Sequence, residues 1–164
     1  MQRRRFLLAG APESGKSTLC ACLLEHGQPV RKTQAPQYHG LEAVDLPGEY
    51  VALPRFRQAF LACAEEVDTI VVVVSAIGRD VLFPGDLLMV APNTRLAGVI
   101  SKIDAPGADT VAARRELAVL GIGEPVFEVS AYWPHTLEPL RHWIKTGILQ
   151  QQPAEPCFGR EGKT

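Results

Sequence analysis

The apolar positions of this chain fall into short, dense runs separated by longer stretches that alternate between apolar and polar. Phe6-Leu7-Leu8-Ala9 is unbroken and suits a buried strand, and residues 69–74, Thr-Ile-Val-Val-Val-Val, are β-branched without interruption. A run of that kind is expected in a parallel strand covered on both faces. Residues 41–46, 97–101 and 125–129 read as further short strands. Between them lie helical patterns at 17–26, at 54–66 opened by Pro54, at 84–90, at 108–120 and at 137–148. Residues 28–40 are polar and broken by Pro29, Pro36 and Gly40, which reads as a loop or a weak edge strand. Strands that alternate with helices predict an α/β domain with a doubly wound, mostly parallel central sheet and helices on both faces. That domain spans residues 1–149. Residues 150–164, rich in Gln, Pro, Glu, Gly and Lys, are expected to be a disordered tail.

Such sheets bind ligands at the carboxyl ends of their strands, so the strings that follow each run carry the chemistry. The first is Gly10-Ala11-Pro12-Glu13-Ser14-Gly15-Lys16-Ser17. It has the phosphate-loop spacing of Gly, four free positions, then Gly-Lys-Ser, and it stands between a strand and a helix as a phosphate loop must. Backbone N–H groups of such a loop cradle a β-phosphate at the positive end of the next helix. Gly10, Glu13, Ser14, Gly15, Lys16, Ser17 and Thr18 are the candidate nucleotide contacts. Lys16 would reach the β- and γ-phosphates, and the Ser17 hydroxyl would ligate Mg²⁺.

Four more elements follow in the order that a GTPase needs. Asp45-Leu46-Pro47-Gly48 matches an Asp-x-x-Gly element, with Asp45 in the Mg²⁺ shell through water and the Gly48 N–H near the γ-phosphate. Ser101-Lys102-Ile103-Asp104 resembles a guanine-reading Asn/Thr-Lys-x-Asp string. The Asp104 carboxylate accepts from guanine N1–H and the 2-amino group. Adenine offers neither donor, and discrimination of this kind reaches about 10⁴-fold. The Lys102 stem would lie along the purine face. Ser130-Ala131 matches the last element, with the Ala131 N–H donating to guanine O6. Thr33 is the candidate switch residue that completes the Mg²⁺ shell. Each string alone is a common turn or surface loop. Their order along one alternating pattern is what points to a GTP or GDP site with Mg²⁺, with ATP as the other nucleotide to consider.

Composition narrows the setting. The chain has 164 residues, 46% hydrophobic and 21% charged, with a net charge of −1, so no electrostatic bias towards nucleic acid or a membrane surface is present. No stretch reaches the roughly 18 apolar residues of a membrane span. The apolar run after Arg3-Arg4-Arg5 is too short for a secretory signal and leads directly into the glycine loop. The four cysteines show no metal-site spacing, which fits reduced thiols in a cytoplasmic protein.

The chain from about Arg5 to Ile148 also resembles the EutP and PduV proteins of ethanolamine and propanediol utilisation. The resemblance rests on Lys32-Thr33-Gln34-Ala35, Asp45-Leu46-Pro47-Gly48-Glu49-Tyr50, Pro54-Arg55, Ser101-Lys102-Ile103-Asp104 and Glu124-Pro125-Val126-Phe127-Glu128. It implies a single Ras-like P-loop NTPase domain and association with bacterial microcompartments, with a shell or other protein as partner. It also implies that phosphoryl transfer to acetate is an alternative to GTP hydrolysis; Arg55 and Arg57 are then the candidate acceptor contacts, and a non-hydrolysing module that docks on a microcompartment shell through the Arg3–Arg5 end or the tail is the third reading. Lys16, Thr33 and Glu49 are the expected catalytic residues. Glu49 stands where many GTPases carry a water-orienting Gln, so slow hydrolysis is expected. Ser101 stands in place of Asn or Thr, where a weaker brace on the base site is expected. Pro12 and Glu13 are crowded choices for the loop tip.

Overall fold

The computed structural model describes residues 5–24, 37–39, 43–47, 54–78 and 94–149. The strands are β1 (Phe6–Ala9), β2 (Gln37–His39), β3 (Ala43–Asp45), β4 (Thr69–Ser75), β5 (Arg95–Ser101) and β6 (Val126–Glu128). The helices are α1 (Lys16–Leu24), α2 (Arg57–Glu65), α3 (Thr110–Val119) and α4 (Glu138–Thr146). The sheet order is β2-β3-β1-β4-β5-β6. Five neighbouring strands run parallel and β2 is antiparallel to β3 at one edge. The polar stretch before β3 thus yields an edge strand of three residues. One partner strand is all it needs, which suits a segment punctuated by Pro36 and Gly40.

Side-chain alternation along the strands divides the core in two. Leu7, Ile70, Val72 and Val74 point to one face, where Phe60 of α2 and Leu117 of α3 cover them. Phe6, Leu8, Val71, Val73 and Val99 point to the other face, beneath Leu19 and Leu23 of α1 and Leu140 and Trp143 of α4. β4 is buried at all of its positions, as its β-branched run requires, and it forms the spine of the sheet.

Local sequence sets the element ends. Asp109 caps α3, its carboxylate accepting from the Ala112 N–H at 2.9 Å. α4 has Pro139 in its first turn and stops at Gly147, whose φ of 76° is left-handed. The segment opened by Pro54 begins as a tight 3₁₀ turn (Pro54–Phe56) before becoming α2. The expected helix at 84–90 and the tail from residue 150 lie outside the described residues.

Candidate functional site

Because β1, β3, β4, β5 and β6 are parallel, their carboxyl ends share one rim of the sheet. β1 leads into the 10–15 loop, β3 ends at Asp45, β5 ends at Ser101, and β6 leads into Ser130-Ala131. The connections from β1 and β3 go to opposite faces, α1 on one and α2 on the other. That divergence opens a crevice where a ligand can sit against the rim.

The glycine loop is held tightly. A Cβ on Gly10 would stand 2.3 Å from the Val73 carbonyl oxygen, a backbone atom that has nowhere to go, so only glycine fits. Gly15 has a φ of 93° and Glu13, without glycine's freedom, a φ of 62°. The Ser14 N–H donates to the Ala11 carbonyl at 3.2 Å, closing the turn. Lys16 is buried to 6% exposure, with Nζ donating to the Ala11 carbonyl at 3.0 Å. The lysine therefore curls over the loop it belongs to, its charge held where anionic oxygens would meet it. Ser17 follows in the first turn of α1. Asp45 pairs in register with Leu8, so its backbone lies beside β1 just before the loop.

Two bonds tie this loop to the end of β5. Ser101 Oγ donates to the Ser14 carbonyl at 2.5 Å, and Lys102 Nζ donates to the Glu13 carbonyl at 2.6 Å. Ser101 Oγ also lies 3.4 Å from the Val74 carbonyl. A hydroxyl has one proton, and the shorter contact takes it. Ser101 thus braces the glycine loop against the end of β5. Lys102 has a φ of 59°, so Glu13 and Lys102, the two non-glycine residues in left-handed backbone among the described residues, are bonded to one another. Such strain persists only where surrounding contacts enforce it, and it concentrates at binding sites.

Beside this junction lies a cavity of about 450 Å³. Gly15, Thr18 and Leu19 form the side towards the glycine loop and α1. Lys102, Asp104 and Ala131 come from the loops after β5 and β6. Ser130 is fully buried and anchors the second of those loops. Its N–H donates to Thr136 Oγ1 at 3.0 Å, and its Oγ accepts from the Tyr132 N–H at 3.0 Å. Ser130 is thus a scaffold for Ala131 rather than a wall of the cavity. Among the described residues, no acceptor takes the Ala131 N–H.

Of the residues singled out in the sequence, Gly15, Thr18, Ser101, Lys102, Asp104 and Ala131 meet around this cavity. Gly10, Glu13, Ser14, Lys16 and Ser17 form the adjoining loop and first helical turn. Thr33, Gly48 and Glu49 lie outside the described residues, and of Asp45 the backbone alone is described. Tyr132 and Cys22 also line the cavity and were not singled out. The signal for Tyr132 was its place directly after Ser130-Ala131. Cys22 offered none, since its facing depends on where α1 lies.

A mostly parallel α/β sheet with this glycine loop between its first strand and first helix defines a P-loop NTPase fold. The chain belongs to the PduV-EutP family, described as "Ethanolamine utilisation - propanediol utilisation", whose model matches residues 3–146. A Salmonella typhimurium (strain LT2) protein named "Probable acetate kinase EutP" is 34% identical over 151 residues, covering 92% of this chain and 95% of that protein. An Escherichia coli (strain K12) protein of the same name is 32% identical over 158 residues, covering 96% of this chain and 99% of the relative.

Proposed function

We propose that this protein binds guanine nucleotides with Mg²⁺ and acts as a slow GTPase or switch in ethanolamine or propanediol utilisation. The observation that carries this reading is the junction of loop and cavity. A carboxylate (Asp104) and an N–H that has no acceptor among the described residues (Ala131) border a cavity directly beside the phosphate loop. Guanine presents two donors and one acceptor along one edge, which that pair complements. The loop's N–H groups, Lys16 and the α1 N-terminus suit the phosphates. Mg²⁺ would be held by the Ser17 hydroxyl, by Asp45 through water and by phosphate oxygens, with Thr33 joining from the switch segment. Lys16 would stabilise charge on the transferring phosphoryl group, and Glu49 would stand near the attacking water. A microcompartment shell or another protein is the proposed partner, and the cytoplasm the proposed location. Among the described residues no helix is long and apolar enough to cross a membrane.

The test is titration of the purified protein with GTP, GDP, ATP and ADP in Mg²⁺, alongside Asp104→Asn. Guanine nucleotides should bind more tightly than adenine nucleotides, and the variant should lose GDP while gaining xanthosine diphosphate. An Asp104→Asn protein with unchanged GDP affinity would overturn the reading.

The names of the two relatives favour a second reading, transfer of the γ-phosphoryl group to acetate. An acetate oxygen would then attack the γ-phosphorus as the bond to the nucleoside diphosphate breaks. Acetate-dependent release of ADP or GDP that vanishes in Lys16→Ala would support it, and the absence of any acetate stimulation would end it.

A further inference from the structure

A glutamate at position 13 works against its own loop. Its backbone is left-handed, with a φ of 62°. That conformation costs a residue with a β-carbon what it does not cost glycine. Gly15, two residues on, has a φ of 93° and meets the same demand without penalty. The Glu13 side chain is exposed, so packing does not offset the strain. Nor does the bond from Lys102 call for a glutamate, because its acceptor at 2.6 Å is the Glu13 backbone carbonyl, which any residue supplies. What the side chain alone adds is a negative charge. It adds it beside the cations that would draw an anion in, Lys16 with Nζ on the Ala11 carbonyl and Lys102 with Nζ on the Glu13 carbonyl. The carboxylate offsets part of their field.

We propose that Glu13 shortens the residence of the nucleotide: its carboxylate repels the bound phosphates, so a nucleoside diphosphate leaves without a partner to expel it. This rests on the nucleotide-binding reading above but not on its choice of guanine, since the repulsion acts on phosphate and not on the base. Like charge at a site slows approach and speeds departure, and most of a difference in affinity falls on departure. The nucleotide that occupies the site then follows the surrounding concentrations of triphosphate and diphosphate. Transfer to acetate would be served in the same way, because each turnover ends with a diphosphate to be released.

The experiment compares wild type with Glu13→Gln, which keeps the β-carbon and removes the charge, and with Glu13→Gly, which removes charge and strain together. Binding of GDP, ADP and inorganic pyrophosphate is measured by calorimetry, and release of GDP and ADP by stopped-flow displacement. Because the side chain is exposed, neither change should disturb folding, and unfolding midpoints will check that. At low salt both variants should hold GDP about tenfold more tightly than wild type and release it correspondingly more slowly, as one unit of like charge near a protein surface implies. Pyrophosphate should gain by a similar factor. In about 1 M potassium chloride, where charges are screened within about 3 Å, the gap between wild type and Glu13→Gln should close. A Glu13→Gln protein that binds and releases GDP like wild type would overturn the proposal. So would a gain for GDP that pyrophosphate does not share, or a gap that survives high salt. If ADP binds better than GDP while Glu13→Gln still slows its release, the repulsion stands and the guanine reading falls. If the wild type binds neither nucleotide, both fall together.

Discussion

Ser101 shows how one small side chain can join two halves of a site. Serine is shorter than asparagine, yet the end of β5 comes close enough to the glycine loop for Oγ to reach the Ser14 carbonyl. That carbonyl belongs to the peptide whose other end is the Gly15 N–H, so the bond fixes how this N–H faces a phosphate. Ser14 is 3% exposed, and removing the donor would leave an acceptor buried without its partner. We expect Ser101→Ala to cost about 1–3 kcal/mol of stability, measured by urea unfolding. Ser101→Thr, which restores a hydroxyl, should recover most of it. The variant should also weaken pyrophosphate binding, because the loop would lose its fixed orientation. A stability within about 0.5 kcal/mol of wild type would show that the 2.5 Å bond contributes little.

Among the elements, α1 carries most of the site, since it begins with Lys16 and Ser17 and lines the cavity with Thr18, Leu19 and Cys22. Its described C-terminal turn is tied to α4. Arg141 donates from Nη2 to the Cys22 carbonyl at 2.8 Å and from Nε to the Leu23 carbonyl at 3.4 Å. A guanidinium against carbonyls in the C-terminal half of a helix adds donors there and opposes the negative end of the dipole. Glu138, one turn earlier on α4, pairs with Arg141 and aims it. Arg141→Ala is expected to lower stability by about 1–2 kcal/mol. Hydrogen exchange should show faster opening of the last turn of α1. At the other end of α4, Arg95 stacks over Trp143 at 4.8 Å and donates to the Trp143 carbonyl at 3.3 Å, tying the start of β5 to that helix. The ion pairs of Arg114 with Glu124 and Glu128 are different in kind. All three side chains are substantially exposed, and Arg114→Ala should change stability by less than about 0.5 kcal/mol.

For the whole molecule, the arrangement would make binding of the proposed nucleotide a property of the entire sheet. The glycine loop follows β1, the residues proposed to read the base follow β5 and β6, and β4 is fully buried between β1 and β5. A ligand that spans loop and cavity bonds these strands together and is lost when any of them opens. Saturating GDP at about 100 times its Kd should therefore stabilise the folded state by about 2.7 kcal/mol, or roughly 6–10 °C in Tm for a chain of this size. Differential scanning calorimetry will read the shift. Pyrophosphate at the same multiple of its own Kd should match it, whereas at equal concentration it should fall well short because it leaves the base cavity unfilled. A GDP shift no larger than that of equimolar pyrophosphate would mean that the cavity does not take the base.

The sequence by itself determined the alternation of elements, because a β-branched run such as residues 69–74 has few outcomes other than a strand covered on both faces. It also determined the glycine loop, since Gly10 admits no Cβ beside Val73 and such a steric demand leaves a residue-level signature. The order of Asp45, Ser101-Lys102-Ile103-Asp104 and Ser130-Ala131 was legible for the same reason, each string falling where a strand gives way to a loop. What no local pattern holds is distance between residues far apart in the chain. That Ser101 bonds Ser14, that Lys102 bonds Glu13, and that Arg141 ties α4 to α1 depend on how strands and helices pack together, across separations of 87, 89 and 119 residues. The placing of Tyr132 at the mouth of the cavity was decided in the same way. Its neighbours in sequence are a turn, while its neighbours in space are Lys102 and Asp104, brought there by the parallel pairing of β5 and β6.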